Sequence, residues 1–210
     1  MRKGLIVFAR EPIAGKVKTR LAATVGNEVA AKWYETMLQD VLNTTRQLSD
    51  VETVVFWACD ENSLPLLTER YRCRAHYQGS GDLGQRMQTA CIEMFSRGVS
   101  ICCIIGSDSP DIPLAYIQSA YQLLAEQRHD VVVGPSSDGG YYLLGMKQVY
   151  PQLFRNISWS TSDVLRQSLE AARTAGLTVA LLPEWHDIDT YEDLQAYQRR
   201  NRQTPLTDPQ

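Results

Sequence analysis

At 210 residues, with 44% hydrophobic and 21% charged side chains and a formal net charge of −3, the chain can bury one sizeable core. It lacks the basic excess that a nucleic-acid or membrane-surface binder would show, so neither is expected as a partner. No apolar run approaches the roughly 18 residues of a membrane span.

Arg2-Lys3 followed by Gly4–Ala9 imitates a secretory leader, but the run is short and Arg10-Glu11 ends it at once. It reads as a first strand. Asn27–Leu48 has helical spacing, with Val29, Ala30, Trp33, Met37, Leu38, Val41 and Leu42 on one face. Thr53–Cys59 is a second strand, Leu64–Arg70 a short helix and Arg72–Tyr77 a short strand. The glycine-rich turn Gly79-Ser80-Gly81-Asp82 leads into a helix over Gly84–Arg97. Ile101–Ile105 is a near-continuous apolar strand of the kind buried on both faces, and Pro113 suits the first turn of a helix reaching Glu126.

Val131–Val133 and Tyr141–Gly145 are further strands, joined through Asp138-Gly139-Gly140. A helix from Ser160 or Ser162 to Ala175 stops at Gly176, and Leu177–Leu182 is the last strand. The final helix starts at Asp189 or Thr190 and runs to about Arg200, leaving a polar tail, 201–210, that is expected to be disordered. Strands and helices alternate without a linker, which predicts a single α/β domain over residues 1–200 with a mixed, mostly parallel sheet. The five cysteines, Cys59, Cys73, Cys91, Cys102 and Cys103, contain no C-x-x-C pair, and an odd count completes no disulfide framework. A reducing, cytoplasmic setting is expected, with Cys59, Cys102 and Cys103 as small core residues.

Three aspartates fall just past strand ends, where sheets of this class bind ligands. Asp108 follows Ile101–Ile105 in Gly106-Ser107-Asp108-Ser109-Pro110, and Asp187 and Asp189 follow Leu177–Leu182 in His186-Asp187-Ile188-Asp189-Thr190. Two carboxylates about 4 Å apart repel by roughly 4 kcal/mol at an effective dielectric of about 20. A divalent ion that also carries phosphate oxygens would hold them together. Asp108 alone reads more readily as a turn or cap residue than as a metal ligand. For the pair, a cap at Asp189 or Thr190 explains one carboxylate, whereas residues two apart in an extended segment point the same way and can reach one ion.

The connection after the first strand, Arg10 to Leu21, gathers Arg10, Lys16, Lys18 and Arg20 around Pro12 and Gly15. That composition suits phosphate, the alternative being a solvated basic loop. It is not a Walker A loop, because Val17 follows Gly15-Lys16 and no glycine lies five residues earlier. Asp138-Gly139-Gly140-Tyr141-Tyr142 is complete as a hairpin connection, yet its glycines also leave room for a ligand beside Asp138. Trp159-Ser160-Thr161-Ser162-Asp163 reads as a helix cap, with Ser160 opposite Asp163, and Trp159 can also stack on a base or sugar. His76, His129 and His186 have no metal-ligand spacing, and no G-x-S-x-G occurs. His186 is read first as a surface residue, the alternatives being a group supporting Asp187 or an acid/base.

Taken in order, Phe8-Ala9-Arg10, Lys18-Thr19-Arg20-Leu21, Gly81-Asp82-Leu83-Gly84, Gly106–Pro110, Gly134-Pro135 with Asp138–Tyr142, Trp159-Ser160-Thr161 and Asp187–Thr190 resemble one family. It is a group of small bacterial proteins known as domain of unknown function 2064, labelled glycosyltransferases, with some members tied to arsenosugar biosynthesis. The family is similar in turn to the nucleotide-diphospho-sugar transferase (GT-A) fold, whose members include the molybdenum-cofactor and phospholactate guanylyltransferases. The resemblance covers the chain to about Tyr197 and implies a single Rossmann-like GT-A domain. It implies a nucleotide site at Ala9, Arg10, Glu11, Lys16, Lys18, Arg20, Gly81, Asp82, Leu83 and Asp108, with Lys18 and Arg20 gripping phosphates. It further implies Mg²⁺ or Mn²⁺ on Asp108, Asp187 and Asp189, substrate contacts at Asp138, Gly139, Gly140 and Trp159, and catalytic roles for Asp108, Asp138 and Lys18. Ser107-Asp108-Ser109 offers one carboxylate where many glycosyltransferases carry D-x-D, so metal binding leans on the distant pair.

The activity expected is metal-dependent glycosyl transfer from a nucleoside-diphosphate sugar to a small-molecule acceptor. The alternatives are nucleotidyl transfer from NTP to a phosphorylated small molecule with pyrophosphate release, and a non-catalytic nucleotide-binding domain. Apolar residues near Trp185 and Tyr191 are read either as a homodimer surface or as core.

Overall fold

The computed structural model describes residues 1–200; the tail at 201–210 lies outside the described residues. The apolar runs become β1 (Lys3–Arg10), β2 (Val51–Ala58), β3 (Ala75–Tyr77), β4 (Ile101–Gly106), β5 (Val131–Pro135), β6 (Tyr141–Met146) and β7 (Val179–Leu181). They form one sheet in the order β3-β2-β1-β4-β6-β5-β7. Only β6 runs against its neighbours, antiparallel to both β4 and β5, because the turn through Asp138-Gly139-Gly140 closes a hairpin. The remaining pairings are parallel, so the mostly parallel mixed sheet expected from the pattern is the one found.

Strand side chains alternate between the two faces, and each face needs its own helical cover. On one face Leu5, Val7, Val55, Trp57, Cys103 and Ile105 pack under α2 (Asn27–Thr45), α3 (Leu64–Tyr71) and α5 (Leu114–Ala125). On the other, Ile6, Val54, Phe56, Cys102 and Ile104 pack under α4 (Leu83–Ser96) and α6 (Val164–Thr174). A third cluster joins α1 (Thr19–Val25), α2 and α7 (Tyr191–Arg200) through Leu21, Ala30, Trp33, Tyr34, Leu194 and Tyr197. Val17 and Ile188 belong to it as well, and both are buried. Each is an apolar anchor beside a charged residue of interest: Val17 precedes Lys18, and Ile188 separates Asp187 from Asp189.

Two local expectations differ, and a third, left open, is answered. Val29 is exposed, and the buried stripe of α2 passes instead through Ala30, Ala31, Trp33 and Tyr34. The helix expected from Ser160 or Ser162 begins at Val164, and Ser160, in a left-handed conformation, makes no cap with Asp163. That segment is fixed from elsewhere, by Gln167 Oε1 accepting from Ser158 N and by Leu165 N donating to Gly139 O at 2.9 Å. Trp185 and Tyr191 pack against the core clusters, Trp185 meeting Tyr116 edge-on at 5.6 Å, which answers to the core reading of these residues. Cys102 and Cys103 are buried and Cys59 is half-buried; all five cysteines are free. No described helix is long and apolar enough to cross a membrane.

One glycine makes the hairpin fit. A Cβ on Gly134 would lie 2.3 Å from Tyr142 Cζ. The ring has little freedom to withdraw, since the Tyr142 hydroxyl donates to Pro183 O at 3.0 Å. Gly134→Ala should therefore cost about 1–3 kcal/mol of unfolding free energy. Denaturant unfolding reads this directly, and an unchanged midpoint would contradict it.

Candidate active site

The loop after β1, the turn after β4 and the segment after β7 meet above one end of the sheet. Lys18 Nζ lies 2.6 Å from Asp108 Oδ1 and 2.8 Å from Asp189 Oδ1, with only 4% of its side chain exposed. Burial disfavours the ammonium, but the two carboxylates outweigh it and raise the Lys18 pKa above its ordinary value. Ile188 N donates to Asp108 O at 2.9 Å, pinning the two acidic segments together through the backbone as well. The carboxylates expected to converge do so, but here a lysine relieves their repulsion. Lys18, expected to grip phosphate, is committed to Asp108 and Asp189.

Asp187 has different partners. Its Oδ1 accepts from the Ser109 hydroxyl at 2.5 Å and its Oδ2 from the Ser136 hydroxyl at 2.9 Å. Burial raises its pKa; the Ser109 hydroxyl offsets part of this, and the nearby Asp108 and Asp138 charges add to it. Asp187 and Asp189 thus line the same cleft without sharing a partner. The helix cap falls to Thr190, whose Oγ1 accepts from Asp193 N at 3.2 Å. Asp193 in turn accepts from the Asp189 and Thr190 amides at 3.1 and 2.8 Å, so the Asp189 carboxylate is not needed as a cap.

The cleft encloses about 660 Å³ and gathers Ala9, Arg10, Lys18, Arg20, Leu83, Asp108, Asp138, Gly140, Trp159, Asp187 and Asp189. Glu11 and Lys16 instead line an adjoining hollow of about 610 Å³, whose wall with the cleft is formed by Arg10 and Arg86. Gly81, Asp82 and Gly139 line neither. Asp82 caps α4, its carboxylate accepting from Gln85 N at 2.8 Å while Gln85 Oε1 accepts from Asp82 N at 3.0 Å. Gly81 turns the chain at φ 104°. A Cβ on Gly139 would lie 2.2 Å from Ser162 O, so this glycine brings the hairpin against the Trp159 segment rather than making room for a ligand.

Three site residues escaped the sequence reading. Arg86 lies one helical turn beyond the Asp82 cap, so its side chain returns to the mouth of the cleft, a position legible once the cap is recognised. Its pKa is lowered by burial and by the Arg10 guanidinium beside it. Gln78 aims Arg86: its Nε2 donates to Ala9 O at 3.1 Å and Phe56 O at 2.8 Å, and its Oε1 accepts from Arg86 Nη1 at 2.6 Å. Nothing in the local pattern marks Gln78. Tyr34 closes the floor, accepting from Arg10 N at 2.8 Å and sharing a hydrogen bond with Ser107 Oγ at 2.9 Å. Its complete burial pushes its pKa up to about 12, so the hydroxyl stays neutral.

The oxygen donors present suit a hard divalent ion. Among the described residues no group of three or more Asp, Glu, His or Cys side chains could enclose a metal by itself. Mg²⁺ ordinarily takes one or two carboxylates and completes its shell with substrate phosphate and water. The half-buried Asp187 carboxylate, crowded by Asp108 and Asp138, is a group that such a cation would stabilise. The residues therefore fit a metal that arrives with phosphate.

Asp187 also makes a stability prediction for the protein in chelator. Its folded pKa lies above the unfolded value of about 3.9. The folded state therefore holds this proton more tightly, and stability is lost as pH rises through the raised pKa. Asp187→Asn should match the parent below about pH 3.9 and exceed it in thermal stability at neutral pH. A variant less stable than the parent at pH 7 in chelator would contradict this assignment.

Comparison with known proteins gives three kinds of result. The profile of a family described as "Uncharacterized protein conserved in bacteria (DUF2064)" matches residues 41–161. A Desulfovibrio desulfuricans G20 protein, named provisionally as a nucleotide-diphospho-sugar transferase, is 34% identical with a TM-score of 0.89. That alignment covers 98% of this chain and 90% of the other. Two more distant structures share the fold alone. Rv0371c from Mycobacterium tuberculosis H37Rv, also known as a manganese complex, is 14% identical over 95% of this chain and 99% of its own, with a TM-score of 0.62. A CMP:2-keto-3-deoxy-manno-octonic acid synthetase in complex with CTP is 14% identical over 96% and 99%, with a TM-score of 0.61. A search of curated proteins finds no match. The fold is that of the nucleotide-diphospho-sugar transferases, and the profile match over more than half of the sequence, with 34% identity to a relative over nearly all of it, makes this chain a member of the DUF2064 family.

Proposed function

We propose that the chain is a divalent-metal-dependent transferase that takes a nucleoside-diphosphate sugar and passes its sugar to a small-molecule acceptor. The observation that carries this reading is the division of charge across the cleft. All its lining cations, Arg10, Lys18, Arg20 and Arg86, come from the end of β1, the loop that follows it, the start of α1, or α4. The opposite part offers Asp138, Asp187, Tyr141, Tyr142, Trp159 and Thr161, with Asp108 and Asp189 between. A diphosphate belongs on the cationic side. A sugar is uncharged and rich in hydroxyls, which suits Asp138 as a hydrogen-bond acceptor and Trp159 as a stacking platform. A phosphorylated acceptor would meet no lining cation there, which favours glycosyl over nucleotidyl transfer.

Arg10 and Arg86 hold the phosphates by charge-assisted hydrogen bonds, Gln78 keeping Arg86 in place. Asp138, anchored by accepting from Gly140 N at 2.8 Å, orients the sugar or the acceptor hydroxyl. Asp108, Asp187 and Asp189 are the residues that would hold Mg²⁺ or Mn²⁺, which when bound supplies neutralisation of charge on the departing diphosphate. The manganese of Rv0371c and the CTP of the synthetase support a nucleotide and metal in this fold. The synthetase likeness also supports nucleotidyl transfer as the second reading, as does the single carboxylate after β4. The free cysteines fit a reducing, cytoplasmic setting.

Incubation with a panel of nucleotide sugars, and separately of NTPs, tests both readings through the leaving group. Release of nucleoside diphosphate that stops in excess chelator is the expected result; pyrophosphate release from an NTP would replace glycosyl by nucleotidyl transfer. Asp189→Ala leaves Lys18 paired with Asp108, so the fold should survive while turnover falls on the order of 10²-fold. Full activity in that variant would refute the metal role, and no turnover with any donor and acceptor would refute catalysis.

A further inference from the structure

The carboxylates that would receive the divalent ion already have a cation. Lys18 Nζ is bonded to Asp108 Oδ1 and Asp189 Oδ1 at 2.6 and 2.8 Å, and its side chain is 4% exposed while those of the aspartates are 46% and 43% exposed. The ammonium is therefore the sequestered partner, and the carboxylates keep a face toward the cleft. The Lys18 backbone is left-handed, at φ 46° and ψ 47°, a conformation that a lysine holds only when its surroundings impose it. Its side chain makes no helix-capping bond there, so the two ion pairs are the polar contacts that fix it.

We infer that Lys18 is a resident counter-ion that makes metal binding conditional on nucleotide. A divalent ion approaching Asp108 and Asp189 alone meets the repulsion of an ammonium already in contact with both. When the ion arrives with a diphosphate, the phosphate oxygens give Lys18 an alternative partner within the same cleft, and the carboxylates turn to the metal. Lys18 thus exchanges one set of oxygens for another without leaving the site. The order of binding follows: nucleotide and metal enter together, and metal alone binds poorly. This inference rests on the metal-dependent reading above and adds to it the reason that nucleotide-free protein takes up free metal poorly.

The test is a titration of nucleotide-free protein with Mn²⁺ alone, followed by the electron paramagnetic resonance of the free ion. Lys18→Met should bind Mn²⁺ at least about tenfold more tightly than the parent, because a repelling charge is gone. Lys18→Arg, which keeps the cation, should remain as weak as the parent. A parent protein that binds Mn²⁺ as tightly as Lys18→Met, or a Lys18→Met protein that binds more weakly, overturns the counter-ion role. A second measurement needs no variant. Thermal unfolding of the parent should barely respond to Mn²⁺ alone and should shift upward with Mn²⁺ and a mixture of nucleoside diphosphates; a comparable shift with Mn²⁺ alone overturns the inference. Tight Mn²⁺ binding by the nucleotide-free parent, together with chelator-sensitive turnover, would refute the counter-ion and leave the metal-dependent transferase standing. Turnover indifferent to chelator would refute both.

Discussion

One buried ammonium, set between carboxylates from two different connections, organises the mouth of this sheet. Lys18 and Asp189 are 171 residues apart in sequence, and Asp108 reaches the same nitrogen from the turn after β4. Without that cation the acidic side chains would repel, and the loop after β1 would have no polar reason to fold over them. Apolar packing does the coarse work: Val17 and Ile188 bury themselves in one cluster with α1, α2 and α7. The Ile188 amide bond to Asp108 O fixes the register. Hydrophobic anchoring thus brings the charges near one another, and electrostatics decides which atoms touch.

Much of this was legible in the sequence. Ile101–Ile105 could only be a strand buried on both faces, and Asp108 had to stand where it ends. Asp187 and Asp189 had to share a short segment after the last strand, and both line the cleft, with Ile188 buried between them. What the sequence could not disclose was pairing. Lys18 and Arg20 look alike in a basic loop, yet one is enclosed by carboxylates and the other lines the open cleft. Only tertiary packing distinguishes them. Asp187 and Asp189 share a direction in principle, but the serines at 109 and 136 claim the first and Lys18 claims the second.

Gln78 shows the same limit from the other side. A glutamine after a short edge strand carries no pattern, and its importance lies in three contacts with residues distant in sequence. Gly139 shows the converse, a position that reads as room for a ligand and serves instead to let two backbones touch. The helix expected at Ser160 starts later because its first turn is replaced by contacts to the hairpin and to Gln167, a tertiary competition that local propensity cannot foresee. Where the fold depended on periodicity the reading held apart from Val29; where it depended on which polar group met which, it did not.

The arrangement separates two tasks. Arg10 and Arg86, the latter held by Gln78, form a cationic wall with no carboxylate bonded to either among the described residues, while Lys18 is paired with the acids. The measurement that bears most directly on this division is anomalous diffraction from a crystal grown with Mn²⁺ and a nucleoside-diphosphate sugar. The expected result is a manganese peak bounded by the Asp108 and Asp189 carboxylates and by diphosphate oxygens, with the diphosphate also contacting Arg10 and Arg86. Manganese bound away from those carboxylates, or a diphosphate seated off the Arg10–Arg86 wall, would contradict it.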